Sequence, residues 1–309
     1  MKIFEKICKM TQPEVKKYME AFLTENNYSI ANEDGFLYAI PNKDVIPVLL
    51  VAHMDTVHKE QCKEIINEKG KLSSPQGIGG DDRCGIYMIM NIVKELHCSV
   101  LLTEDEEIGG VGASKFASSK YIDKLDINYM IEFDRRGNND AVFYSCGNKE
   151  FISFIEEVTG LKEAFGSYSD ISTIMPASKI AGVNFSCGYY NPHTVTEYVM
   201  FDEMINIIDI AKILIENHCD KSYEYVEKVW PKTDFANYHQ YSFYDNDVRK
   251  SSNVYSLDLE LELEVVWMND KGKEKVDLYY GKTKAECWFN FFMNNPDACM
   301  DMVVDYNWC

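Results

Sequence analysis

Five short stretches of this chain gather residue types that can bind metal ions or move protons. The first is VLLVAHMDTVH, residues 48–58, where an apolar run gives out at His53 and a carboxylate follows at Asp55. Extended backbone puts positions two apart on the same side, so Asp55 can hold and orient the His53 imidazole. Alone, such an HxD pair is a common structural feature. The second, GIGGDDRCG, sets Asp81 and Asp82 between glycine turns at the start of a helical pattern, where backbone N–H groups favour anions. The third, LLTEDEEIGG, leaves an apolar strand and runs through the acidic residues Glu104 to Glu107. In the fourth, NYMIEFD, a strand ends at Asp134, and in the fifth, VNFSCGYYNPH, His193 follows soon after a strand. Together they form a hard oxygen and imidazole donor set that suits zinc, cobalt or manganese better than a thiolate site would. One carboxylate could bridge two ions about 3.5–4 Å apart and make a co-catalytic pair.

A parallel sheet would bring these stretches together, because its loops converge at the carboxyl ends of the strands. The sequence between them fits one. Thr11-Gln-Pro-Glu14 is a capping box with proline in the first turn and predicts a helix over 12–26. Strands are expected at 36–40, 48–53, 99–103, 127–133, 141–145 and 182–186. Helices are expected beyond Asp81, where Ile86, Ile89, Ile92 and Leu96 recur at helical spacing, and over 149–158 and 201–217. This alternation predicts an α/β three-layer sandwich with a mostly parallel central sheet. After residue 222 the composition changes, and all four tryptophans fall in 223–309. That stretch reads as a small α+β domain. A one-sided strand through Leu257 to Val265 turns at 269–272, returns over 276–280, and is followed by a capped helix over 283–296.

Composition narrows the function classes. A net charge of −19 argues against a nucleic acid backbone or an anionic membrane as partner, since both are polyanions. No segment approaches the ~20 apolar residues of a membrane span. The opening MKIFEKICKMTQPE mixes charges into its apolar residues and does not read as a signal peptide. The ten cysteines are scattered with no CxxC pair. They are expected to be reduced thiols in a cytoplasmic protein, with Cys84, Cys146 and Cys187 as small core residues.

HMDTV, GGDDRCG, TEDEEIGG, EFD and NPHTVTEY, in this order, resemble the metal-site motifs of the dizinc exopeptidase superfamily, over roughly residues 48–215. The superfamily includes aminopeptidases, peptidase T, carboxypeptidase G and deacylases of N-acyl amino acids. The resemblance implies two divalent ions, zinc first, with cobalt or manganese as alternatives. His53 and Asp134 would bind one ion, Glu107 and His193 the other, and Asp81 both. Asp55 would orient His53. Glu106 would be the general base that takes a proton from the attacking water. Asp82 is expected to cap its helix or support the site, Glu104 and Asp105 to lie outside the ligand set, and His58 to have no ligand role.

The wording HMDTV with DEEIG resembles the peptidase T and carboxypeptidase G side of the superfamily, whose members insert a lid and dimerisation domain before the final histidine. Here Asp134 and His193 stand only 59 positions apart, so the lid is expected to be absent, as in the lidless aminopeptidases. Three candidates for substrate binding remain. Arg135 could neutralise a substrate carboxylate or the oxyanion. Asp170, in the loop FGSYSDIS, could meet a substrate amine or cap the next helix. Of the aromatic pair Tyr189-Tyr190, which could wall the pocket or pack in the ordinary way, Tyr190 is the candidate. The expected activity is hydrolysis of the terminal bond of short peptides, with an N-acyl amino acid deacylase or dipeptidase as alternative, and a non-catalytic binding protein of the same fold as a third reading. The region 223–309 could cover the site, form a homo-oligomer or bind something unrelated.

Overall fold

The structure, a computed structural model, describes residues 1–166, 168–228, 261–268, 274–281 and 303–308. The chain divides into two compact units, Met1–Pro231 and Lys232–Cys309. The segment 223–228, which composition groups with the second unit, is bonded to the first. The Tyr223 amide donates to Asn128 O, the Gly147 amide to Val226 O and the Lys228 amide to Ser145 O. Tyr223 is buried there against Phe151 and Phe154, so aromatic packing sets the boundary later than the change in composition suggests.

The first unit is an α/β sandwich. In chain order it runs α1 (Lys2–Cys8), α2 (Gln12–Glu25), β1 (Tyr28–Glu33), β2 (Phe36–Pro41), β3 (Ile46–His53), β4 (Ile66–Glu68), β5 (Lys71–Ser73) and α3 (Gly80–Ile92). It continues through β6 (Cys98–Thr103), α4 (Val111–Ala117), β7 (Tyr129–Arg135), β8 (Asp140–Val142), α5 (Lys149–Thr159), β9 (Lys162–Ala164), α6 (Asp170–Ser178), β10 (Gly182–Ser186), β11 (Tyr189–Tyr190), β12 (Tyr198–Met200) and α7 (Phe201–His218). The main sheet has the order β1-β2-β6-β3-β7-β10-β8-β9. Its centre, β6-β3-β7-β10, is parallel, while β1, β2 and β8 join by antiparallel pairs. A smaller sheet of order β11-β12-β5-β4 is antiparallel.

Why the central strands read as unbroken apolar runs follows from the layers. Helix α3 lies on β3 and β7 with α1 and α7 against it, and α6 packs with α4 over the other face. Strands covered on both faces have no solvent side on which to alternate. Val48 to Ala52 and Val100 to Leu102 are accordingly fully buried. The capping box of α2 forms as expected, with Glu14 Oε2 accepting from the Thr11 amide at 2.8 Å. The 141–145 strand is shorter than expected, because β8 ends at Val142.

In the second unit β13 (Leu261–Met268) pairs antiparallel with β14 (Glu274–Gly281) and β15 (Val303–Trp308), giving the order β14-β13-β15. The hairpin agrees with the expected out-and-back pair over Leu261 to Val265 and 276–280. The start of the expected strand at 257–260, the turn at 269–272 and the helix over 283–296 lie outside the described residues.

Because β3 is buried on both faces, truncation inside it leaves a cavity. Leu50→Ala is expected to lower unfolding stability by roughly 2–5 kcal/mol in a urea titration. A loss well below about 1 kcal/mol would show that the layers close around the gap.

Candidate metal centre

Strand β3 has β6 on one side and β7 on the other, so the chain reverses its direction of travel across the sheet at β3. The crevice at the carboxyl end of such a strand is where open α/β sheets place ligands. His53 is the last residue of β3, Glu106 and Glu107 follow β6, and Asp134 lies near the end of β7. His193 arrives differently. It sits in the turn between β11 and β12 with a left-handed φ of 62°.

These side chains converge. Asp81 Oδ1 lies 3.0 Å from His53 Nε2, and Asp81 Oδ2 lies 3.2 Å from His193 Nε2. Asp134 Oδ1 is 3.6 Å from the same nitrogen of His53, and Glu107 Oε2 is 3.2 Å from His193 Nε2. Two trios result, His53–Asp81–Asp134 and Asp81–Glu107–His193, with donor atoms in each within 4.8 Å of one another. They share Asp81, which turns one oxygen to each. A third group, His53–Glu106–Glu107, puts the expected base beside both trios.

The residues fit two divalent cations. Every donor is an imidazole nitrogen or a carboxylate oxygen, a set that suits zinc and similar divalent transition ions. Glu107 Oε1 is buried without a hydrogen-bond partner, a costly state for a carboxylate that a cation would relieve.

Electrostatics point the same way. Burial pushes against a charged His53, but Asp134, Asp55 and Asp81 outweigh it and hold the imidazole pKa well above its ordinary value. His193 is raised by its contacts with Asp81 and Glu107, although its ring is more than half exposed and solvent moderates the effect. Burial, with repulsion from Asp134, Asp170 and Glu107, pushes the Glu106 carboxyl well up, against the pull of His53. Burial likewise raises Glu107, and burial with repulsion from Asp81 raises Asp134.

The surrounding residues hold this arrangement. Asp55 Oδ1 lies 3.1 Å from His53 Nδ1, and its two oxygens accept the amides of Glu106 and Glu107 at 3.0 Å each. It thus orients the imidazole and the acidic loop together. Asp82, fully buried, accepts the His53 amide and the Gly85 amide, so it both supports the site and caps the helix; the Asp81–Asp82 peptide is cis. Glu104 pairs with Lys16, and Asp105 bonds Gln12, which ties the acidic loop to α2.

The three expected substrate contacts are placed otherwise. Arg135 donates from Nε and Nη2 to Asp140 at 3.1 and 3.0 Å, so its guanidinium is taken up inside the chain. Asp170 is fully buried as the first residue of α6, accepts from Thr103 Oγ1, and is pushed up to about 7 by burial; it has no surface to offer a substrate amine. Tyr190 stacks on Tyr198 and donates to Glu203 at 2.6 Å. Its neighbour Tyr189 is the one at the centre, with its hydroxyl donating to Asp134 Oδ1 at 3.1 Å.

Sequence reasoning also passed over Ser169, Asn184 and Glu197. Ser169 Oγ donates to Asp134 Oδ2, and Asn184 bonds the Asp134 amide and carbonyl. Glu197 is fully buried and accepts the amides of Gly79 and Asp81. The available signal for Glu197 was its place in NPHTVTEY, four residues past His193.

Residues 38–179 match the model of a family described as Peptidase family M28. The resemblance to the dizinc exopeptidases is borne out. In fold, the chain is similar to the aminopeptidase PepT of Bacillus cereus (15% identity, 70% of this chain and 96% of that one, TM-score 0.58). It is also similar to a tripeptidase of Staphylococcus aureus (13%, 69% and 97%, 0.57). A third likeness is to an aminopeptidase of the archaeon Desulfurococcus kamchatkensis (14%, 71% and 94%, 0.54). No curated protein matches the chain. Among the described residues no helix is long and apolar enough to cross a membrane.

The histidine pKa directions set the pH dependence of metal binding. A raised pKa means that protonated His53 and His193 stabilise the metal-free fold below the ordinary histidine value near ~6.5, and that this stabilisation is lost as pH rises through the folded values. Ligation needs the neutral ring, so binding at pH 7 should expel at least about one proton and weaken as pH falls. Titration calorimetry in buffers of different ionisation enthalpy reads this, and identical heats in all buffers would contradict it.

Proposed function

We propose that the first unit is a metal-dependent exopeptidase, acting on the amino end of short peptides. The observation that carries this is Asp81, shared between two histidine-carboxylate trios, with Glu106 beside both. His53 and Asp134 would hold one ion, Glu107 and His193 the other, and Asp81 both, with zinc the first choice for the donor set. When bound, the ions supply Lewis acidity to the scissile carbonyl and the attacking water.

The chain's own residues supply the rest. Asp55 fixes the ring of His53 and, through two amides, the loop that carries Glu106. Glu106 accepts the proton of the attacking water at its carboxylate and returns it to the leaving amine nitrogen as the C–N bond breaks. The amino-terminal preference rests on the aminopeptidases and the tripeptidase that share the fold.

Two measurements test the reading. Metal-loaded protein should hydrolyse aminoacyl anilides and tripeptides in preference to N-acyl amino acids; the reverse preference would make it a deacylase with the same centre. Glu106→Gln should lower kcat by about 10²–10⁴-fold, with metal content kept at two ions per chain. Unchanged turnover in that variant would remove Glu106 from the chemistry, and absence of turnover on both substrate sets would favour a binding protein of this fold.

A further inference from the structure

His58 and Glu197 fall outside the ligand set, yet they meet beneath it. Glu197 is fully buried. Its Oε1 accepts the Asp81 amide at 2.9 Å, and its Oε2 accepts the Gly79 amide at 2.9 Å and lies 2.8 Å from His58 Nε2. A carboxylate only accepts hydrogen bonds, so the ring nitrogen is the donor. Three segments are tied at this one carboxyl group: the loop after His53, the turn leading into Asp81, and the turn after His193.

The glycines of GIGG fit around the pair. A Cβ on Gly77, whose φ is +87°, would meet the His58 ring at 2.2 Å, and one on Gly80 would come within 3.2 Å of Glu197 Oε1 and 2.9 Å of Tyr189 Cβ. The backbone before Asp81 therefore lies against His58 and Glu197 at a distance only glycine allows.

Because Asp81 faces a different histidine with each oxygen, its side chain is correctly aimed only if its backbone is fixed. We propose that Glu197, buttressed by His58, is the positioning residue that fixes it, so that the pair sets the affinity of the dinuclear site without touching either ion. The proposal rests on reading the trios as a two-ion centre.

The test compares wild type with Glu197→Gln, His58→Leu and His58→Gln, each stripped of metal and titrated with Co²⁺, following calorimetric affinity and the cobalt absorption bands. Glu197→Gln and His58→Leu should bind cobalt about 10–100-fold more weakly. Their bands should change, and their metal-free forms should melt within a few degrees of metal-free wild type. His58→Gln keeps an N–H donor and should recover most of the affinity. Should Glu197→Gln fail to fold, the two His58 variants decide the matter. Wild-type cobalt affinity in the folded variants overturns the proposal, as does an affinity loss matched by an equal loss of metal-free stability or one that His58→Gln does not relieve. Wild type that binds no cobalt overturns the two-ion reading and this proposal with it.

Discussion

A carboxylate that faces an imidazole with each of its oxygens cannot be held by those contacts alone, since a small rotation improves one at the expense of the other. Asp81 is in that position between His53 and His193. The surrounding structure fixes everything except the side chain itself. Asp82 accepts the His53 amide, which locks the end of β3 to the start of α3, and Asp55 locks the His53 ring to the acidic loop. Tyr189, Ser169 and Asn184 do the same for Asp134. The central sheet provides a rigid edge for these locks, because β6, β3 and β7 are buried through their middle residues and a one-residue slip would turn each strand's side chains to the opposite face.

Crowding acids at one sheet edge has an electrostatic consequence that the same residues answer. Glu106, Glu107, Asp134 and Asp170 all have raised pKa values, each chiefly through burial. Burial and mutual repulsion thus favour the protonated forms of these acids, while the neighbouring carboxylates hold His53 and His193 toward their charged forms. Glu106, Glu107 and Asp134 lie half-buried at the crevice, and Asp170 is fully buried.

How much of this could be read in the sequence depended on whether the signal was local. A strand buried on both faces stays apolar until it leaves the sheet, so the polar groups after VLLVA, SVLLT and NYMIEF marked strand ends plainly. Neighbouring residues on a strand point to opposite faces, however, and choosing between Tyr189 and Tyr190 needed the pairing of β11 with β12. Tyr189 points inward and Tyr190 does not. Arg135 looked free because its partner, Asp140, stands five residues on, across a turn that no periodicity announces. Strands of two or three residues, such as β5, β9 and β11, are too short to show a period. Asp170 could be expected either to meet a substrate amine or to cap the helix after it, and it is the first residue of that helix.

The hairpin that carries His193 belongs to the small sheet, whose partners β4 and β5 come from far earlier in the chain. One of its residues completes the second trio, and another, Glu197, holds the backbone of the carboxylate common to both. The large sheet and its helices up to β10 precede that hairpin in order of synthesis. His53, Asp81 and Asp134 therefore emerge with the large sheet, while the trio Asp81–Glu107–His193 is complete only once the hairpin has been made. The two trios thus differ in origin: one belongs to the large sheet and α3, and the other exists only where the small sheet meets them.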